Sequence, residues 1–184
     1  KAAHFFQLCD QVNRPLIFLH NTTGYMVGSQ YEHAGMIKHG AKMIQAVMNV
    51  KVPKIALYTG ASFGAGNYGM CGFSYKPDFL LTWPNAQTGV MGGQQAAKTM
   101  EHVMRNSAKR KGKELDEEQF AKQVKGIEHH FDNQSDAFIT SGRLIDHGMI
   151  DPRDTRKVLG FCLATCLEAQ LRELRPNNFG IARM

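Results

Sequence analysis

Cysteine is scarce in this sequence, and its spacing fits no paired motif. Four cysteines, Cys9, Cys71, Cys162 and Cys166, occur among 184 residues, and none of them forms a CxxC pair. A chain of this length that is 43% hydrophobic can bury a core without a disulfide framework. We therefore expect one domain over residues 1–184, with free thiols in a reducing compartment.

Long apolar runs are also missing. No stretch approaches the roughly 20 apolar residues of a membrane span, so we expect a soluble protein and no membrane partner. The N-terminus lacks the basic, apolar and small-residue order of a signal peptide. The sequence starts at Lys1 rather than at a methionine, and helical periodicity is already present at Phe5 and Phe6. We therefore expect a piece of a longer protein.

The charge balance is only moderately basic. A formal net charge of +6 would suit an anionic partner, and the run KRKGK at residues 109–113 supplies much of it. That run is followed at once by acidic residues and contains no interleaved aromatic side chains. We interpret it as a solvated loop and expect no nucleic-acid partner.

Titratable side chains form no recognisable catalytic or metal-binding group. Ser62 lacks the GxSxG context of a nucleophile elbow. The eight histidines are scattered, and the adjacent His129 and His130 would diverge by about 100° on a helix. We expect no metal site and interpret the histidines as ordinary polar residues. Cys162 and Cys166 share a helix face with apolar neighbours, which indicates buried free thiols.

Hydrophobic periodicity predicts an α/β fold. Continuous apolar runs at 16–19, 52–59 and 79–83 have the composition of buried parallel strands. The helix between the first two strands makes a right-handed βαβ unit, with the strands parallel. The predicted helices cover residues 2–12, 31–50, 64–71, about 93–105, a stretch towards 129–130, 137–144 and 153–173.

The glycine-rich segment 60–72 follows the second predicted strand. Five glycines in thirteen positions indicate either a tight structural turn or a backbone that presents its amides to a ligand. A second glycine turn lies at 90–93, and parallel strands place such turns at one sheet edge. Gly64, Gly66 and Gly69 match GxGxxG, but no acidic residue follows about 20 positions later. Amides at the start of the next helix would suit an oxyanion.

Several ordered blocks of the sequence resemble one known family. They are LHNTTGYMVG at 19–28, GMIKHGAKM at 35–43, GAGNYGMCG at 64–72, WPNA at 83–86, VMGGQQAA at 90–97 and IDPRDTR at 150–156. Together they resemble the carboxyltransferase β subunit of biotin-dependent acyl-CoA carboxylases. The 3-methylcrotonyl-CoA and geranyl-CoA branches are the most similar, with a slight preference for the geranyl-CoA type.

The resemblance implies a crotonase-like (ClpP/crotonase) ββα spiral, of which this chain is the C-terminal carboxyltransferase half. It implies that this half receives carboxybiotin, whose biotin is carried on a partner α subunit. The N-terminal half of a neighbouring β subunit would bind the acyl-CoA substrate, so the β subunits would form a homo-oligomer. The compartment would be the cytoplasm in a bacterium and the mitochondrial matrix in a eukaryote.

Site residues are implied by position within the matching blocks. The amides of Ala65 and Gly66 would hold the ureido oxygen of biotin and so act in catalysis. The biotin pocket would be formed by Phe63, Gly64, Asn67, Tyr68, Thr23, Gly24, Met91 and Gly92. The propionyl-CoA branch carries an aspartate where Tyr68 stands, so propionyl-CoA is not expected as the substrate.

Two other functions are open to these residues. A hydratase or isomerase of the crotonase superfamily would need paired glutamates near the glycine turns, whereas Glu32 and Glu101 lie on predicted helices away from them. A non-catalytic oligomerisation module would use the terminal helices and the ten methionines.

Overall fold

The computed structural model describes residues 1–112, 116–176 and 180 of the chain. This described part contains four strands, which all lie within residues 16–89, and eight α-helices. The strands are β1 (Leu16–Thr22), β2 (Lys54–Phe63), β3 (Phe79–Thr82) and β4 (Gln87–Gly89). The helices are α1 (Ala2–Gln11), α2 (Ser29–His33), α3 (Met36–Asn49), α4 (Gly64–Gly69), α5 (Gly93–Arg110), α6 (Glu117–Ser135), α7 (Ala137–Gly142) and α8 (Thr155–Leu171).

Strand β2 is the centre of a parallel sheet. Its first half lies between β1 and β3, with Ile17 opposite Ile55 and Ile55 opposite Phe79. Its second half pairs with β4, where Ser62 lies opposite Thr88. All three pairings are parallel, which confirms the predicted βαβ unit, with α2 and α3 in the crossover.

The predicted strand ends are too early. Strand β1 continues to Thr22 and β2 to Phe63, although the predicted strands end at Leu19 and Thr59. The short β4 was not predicted, and its pairing with residues 61–63 is what extends β2 beyond the apolar run. The glycine segment therefore begins inside the sheet, and the turn itself falls at Gly64.

The predicted helices differ from the structure mainly at their ends. The helix expected over 31–50 is two helices, because Gly35 has a left-handed φ of 87°. The helix expected over 137–144 ends at Gly142. The last helix is preceded by a 3₁₀ turn at Pro152–Asp154 and ends at Leu171. Lys109 and Arg110 of the basic run belong to the last turn of α5, whereas Lys113 lies outside the described residues.

Both faces of the sheet are covered by helices. On one face, α1 and α3 pack on Phe18, Ala56 and Tyr58. On the other, α8 packs its two cysteines on Ile55, Leu57 and Leu81. Burial on both faces explains the continuous apolar runs of β2 and β3, whereas Ile17 and Leu19 of β1 are exposed. The predicted burial of Cys162 and Cys166 as free thiols is confirmed.

Helices α5 and α6 form an antiparallel pair beyond the end of the sheet. Arg105 of α5 joins them, because it forms a bidentate ion pair with Glu117 and lies 4.6 Å above the Phe120 ring. At the other end, the Gly93 amide donates to the Asp132 carboxylate at 3.2 Å. No helix in the described part of the chain is long and apolar enough to span a membrane.

Candidate functional site

The carboxyl ends of β1, β2 and β4 meet around the short helix α4. Strand β2 passes directly into α4 at Gly64, which adopts a left-handed φ of 56°. A Cβ at this position would also lie 3.1 Å from the Val90 carbonyl oxygen. Gly64 therefore allows both the sharp turn and the close approach of the second glycine segment.

The loop after β1 closes against the first turn of α4. A Cβ on Gly66 would lie 2.9 Å from the Gly24 Cα and 3.3 Å from the Thr22 methyl carbon. A Cβ on Gly24 would in turn lie 3.8 Å from the Phe63 carbonyl oxygen. The structure thus brings together the two glycines that the sequence placed 42 positions apart.

The amides of Ala65 and Gly66 lie in the first turn of α4. Amides in a first turn have no acceptor inside their own helix. Among residues 1–112, 116–176 and 180, no backbone acceptor elsewhere receives a hydrogen bond from either amide. Ala65 is exposed and Gly66 is buried. Two adjacent donors of this kind can stabilise an oxyanion without exchanging a proton with it.

One side of α4 lines a cavity of about 540 Å³. Its floor comes from α4 and from residues 88–91, and its far wall comes from α6, α7 and the following turn. The far wall is formed by Phe131, Gln134, Ser135, Thr140, Arg143 and Ile145. Of the described residues that line it, only Arg143 carries a formal charge at neutral pH. The cavity therefore favours an anion over a cation.

The predicted site residues lie on two sides of α4. Gly64, Ala65, Asn67, Tyr68 and Met91 line the cavity. Gly66, Thr23 and Gly24 lie on the opposite side, in the contact with the loop after β1. Phe63 is buried, and its ring packs against Gly89 and Gly92.

A larger cavity, of about 710 Å³, lies between α1 and α3. It is lined mostly by polar residues and includes none of the predicted site residues. Because it is remote from the carboxyl ends of the strands, we do not assign the site to it. In the described part of the chain, no three His, Cys, Asp or Glu side chains lie close enough together to hold a metal ion.

A buried polar cluster lies beneath α4, and no sequence pattern predicted it. The Ser62 hydroxyl lies 2.8 Å from His20 Nδ1, although the two residues are 42 positions apart. Hydrophobic periodicity did not predict this contact. Both side chains are fully buried, so Ser62 is not accessible to a substrate. The extension of β1 to Thr22 is what places His20 beside β2.

Burial lowers the pKa of His20 from 6.5 to about 4, and the Met70 carbonyl offsets part of this fall. The ring is therefore neutral in the folded protein at pH 7. In the unfolded chain it regains its ordinary pKa, so the unfolded state binds more protons between pH 6.5 and 4.

Acidification should therefore destabilise the protein through His20. Lowering the pH from 7 to 5 should reduce the free energy of unfolding by about 2 kcal/mol through this group alone. Denaturant unfolding at the two pH values, in the wild type and in His20→Gln, measures the difference. His129→Gln, at an exposed position, serves as the control and should keep the wild-type pH dependence. An unchanged pH dependence in His20→Gln would contradict the prediction.

Comparison with known proteins identifies relatives over the full length of this chain. The family model "Carboxyl transferase domain" matches residues 1–180. The mitochondrial methylcrotonoyl-CoA carboxylase β chain of Arabidopsis thaliana is 50% identical over 185 residues, which cover 100% of this chain and 31% of the relative. A probable biotin-dependent acyl-coenzyme A carboxylase β2 subunit of Mycobacterium tuberculosis is 48% identical over 184 residues, which cover 100% of this chain and 34% of that protein.

The solved structures include an equally similar protein. The crystal structure of the geranyl-CoA carboxylase β subunit of P. aeruginosa superposes with a TM-score of 0.91 at 48% identity. The superposition covers 100% of this chain and 34% of the other. The chain thus spans about a third of the length of the relatives it matches.

Proposed function

Because this chain belongs to the carboxyl transferase domain family, we propose that it performs part of the carboxyltransferase half-reaction of a biotin-dependent acyl-CoA carboxylase. The family resemblance and the crotonase-like α/β fold expected from the sequence are confirmed. We propose a branched unsaturated acyl-CoA, of the geranyl-CoA or 3-methylcrotonyl-CoA type, as the carboxyl acceptor. The names of the similar proteins support this choice.

The proposal rests on the backbone amides of Ala65 and Gly66, which have no acceptor among the described residues. The residues of their helix that line the cavity carry no formal charge. The donors of Ala65 and Gly66 fit a ureido oxygen, because they are adjacent, in the backbone and without another acceptor in the described chain. The cavity on the Ala65 side of α4 has room for a bicyclic ring system. Phe63, Gly64, Asn67, Tyr68, Met91 and Gly92 would surround that ring, with Thr23 and Gly24 behind the first turn.

Carboxybiotin, when bound, supplies the carboxyl group and leaves negative charge on its ureido oxygen. The two amides are donors that strengthen as this charge develops, and each such donor typically contributes 10²–10³-fold to a rate. Neither amide transfers its proton in the reaction, so both remain hydrogen-bond donors throughout. Beside Ala65, the partly buried side chains of Met91, Phe131 and Ile145 reduce the access of water, which strengthens a hydrogen bond made there.

Arg143 contributes electrostatically to the same cavity. Its side chain forms no ion pair among the described residues, and no carboxylate lines the cavity with it. A free guanidinium there would attract an anionic ligand such as the carboxylated cofactor. Among the described residues that line the cavity none is a carboxylate, whereas a hydratase or isomerase would need an acid and a base beside the substrate.

The proposed partners follow from the family and from the portion of it that this chain covers. We propose that a biotin-carrying α subunit delivers the cofactor and that the N-terminal half of a neighbouring β subunit binds the acyl-CoA. The β subunits would form a homo-oligomer. The relatives include bacterial and mitochondrial proteins, so we propose the cytoplasm in a bacterium and the mitochondrial matrix in a eukaryote.

The proposal is tested with the complete enzyme and with the isolated chain in parallel. The complete enzyme should carboxylate geranyl-CoA or 3-methylcrotonyl-CoA, whereas the isolated chain should not carboxylate either compound. Free biotin added to the isotope-labelled chain should shift the amide resonances of Ala65 and Gly66. Turnover by the isolated chain would overturn the division into two halves. An absence of shifts at saturating biotin would instead favour a non-catalytic module.

A further inference from the structure

The buried polar cluster beneath α4 links the proposed donors to two strands. It consists of His20 in β1, Tyr58 and Ser62 in β2, and Asn67 in α4. We propose that Asn67, supported by Ser62 and His20, is a positioning residue that fixes the Ala65 and Gly66 amides for catalysis. This inference rests on the proposed function, and it assigns to the Asn67 side-chain amide a role other than contact with biotin.

Asn67 uses both hydrogens of its side-chain amide towards β2. Nδ2 donates to the Tyr58 hydroxyl at 2.8 Å and to the Ser62 hydroxyl at 2.9 Å. Both acceptor side chains are buried, with exposed fractions of 2% and 0%. The first turn of α4 is therefore held by two buried hydrogen bonds that begin one residue beyond Gly66.

Gly72 leaves the space that the Asn67 side chain occupies. A Cβ on Gly72 would overlap the oxygen and the carbon of the Asn67 amide group. Any side chain at position 72 must therefore displace Asn67 or the backbone around it. Glycine at this position serves the orientation of Asn67, since its backbone φ of −64° is one that any residue can adopt.

His20 completes the cluster below Ser62. Asn67 donates to the Ser62 oxygen, which leaves the Ser62 hydroxyl hydrogen free to donate to His20 Nδ1. This assignment places the ring hydrogen on Nε2, which is buried and has no hydrogen-bond partner among the described residues. The ring also packs edge-on against Tyr58, with centroids 4.8 Å apart. The cluster therefore connects α4 to both β2 and β1.

Such a connection matters because hydrogen-bond donors in a catalytic site must be held within about 0.5 Å of their productive position. Helix α4 has only six residues and cannot hold its own orientation by length. A purely structural cluster would lower stability when broken and leave the turnover of folded enzyme unchanged. A positioning cluster would lower kcat, because misplaced amides lose contact with charge that develops in the transition state.

The test uses the complete enzyme with Asn67→Ala and, separately, Gly72→Ala. Both variants should lower kcat by about 10- to 100-fold, with the KM for the carboxyl donor changed less than about twofold. Ser62→Ala should lower kcat as well, and the double variant with Asn67→Ala should be little worse than Asn67→Ala alone, since the two act through one bond.

Thr155→Val is the matched control. It removes a partly buried side-chain hydrogen bond of 2.9 Å from Trp83, on the face of the sheet covered by α8. Its melting temperature should fall as it does in Asn67→Ala, with kcat unchanged. If the folded Asn67→Ala and Gly72→Ala enzymes keep the wild-type kcat, the positioning role is overturned and the proposed function still stands. A complete wild-type enzyme without carboxyl transfer would overturn the proposed function and this inference with it.

Discussion

Replacing Ala65 with proline should lower the kcat of the complete enzyme by about 10²–10³-fold, the loss expected for one oxyanion donor. Proline removes the backbone N–H at this position and leaves the rest of the backbone in place. The first turn of a helix accepts proline, because its amide has no partner within the helix and its φ is already close to −65°. Ala65 is exposed, so the ring has room. Carboxyl transfer to the acyl-CoA measures the effect.

Ala65→Ser is the control for this substitution, because it changes the side chain and keeps the amide. It should retain kcat within a few-fold of the wild type. The residue before the proline is Gly64, whose lack of a Cβ removes part of the usual pre-proline clash. Circular dichroism and the melting temperature establish that both variants are folded. A folded Ala65→Pro enzyme with wild-type kcat would exclude the Ala65 amide from catalysis.

The position of α4 could be predicted from sequence because glycine is costly wherever it is not needed. A cluster of glycines after an apolar run indicated a sharp turn at the end of a strand, and the turn is found at Gly64. The contact between Gly66 and Gly24 was predicted only through the family resemblance. Neither glycine carries a side chain whose periodicity could reveal the other.

The ends of β1 and β2 could not be predicted, because pairing rather than composition sets them. Asn21 and Thr22 are polar, but they continue β1 because Thr22 finds a partner in Ser62 beyond a shift in register. Residues 61–63 likewise continue β2 because β4 lies beside them. Hydrophobic periodicity carries no information about such a partner. The His20–Ser62 contact was missed for this reason.

The far wall of the cavity was also missed. Phe131, Thr140 and Arg143 reach the cavity because α5 and α6 fold back on each other, and α7 then returns beside β4. The sequence predicted these helices but not the direction in which the pair projects.

Asn67 was predicted as a pocket residue and does line the cavity, yet its side-chain hydrogen bonds run to Tyr58 and Ser62. Those bonds depend on how α4 packs against β2, which the pattern of side chains does not reveal.

The close approach of α5 and α6 leads to the largest expected effect on stability. A Cβ on Gly93, the first residue of α5, would lie 2.5 Å from the Glu128 carbonyl oxygen and would overlap the Asp132 carboxylate. The carbonyl belongs to the backbone of α6 and cannot move without the helix. Gly93→Ala should therefore lower the free energy of unfolding by about 3 kcal/mol. Denaturant unfolding measures this loss.

Gly126→Ala is the matched control, because Gly126 lies inside α6 and a Cβ there would meet no atom within 4 Å. It should raise the free energy of unfolding by about 0.5–1 kcal/mol, since alanine restricts the unfolded chain and favours the helix. If the glycine-to-alanine change lowers the free energy of unfolding at position 93 and raises it at position 126, steric contact rather than helix propensity decides its effect on stability. Because α6 also carries Phe131 and Gln134 of the cavity wall, Gly93→Ala should raise the KM for the carboxyl donor. An unchanged stability in Gly93→Ala would contradict the packing of α5 on α6.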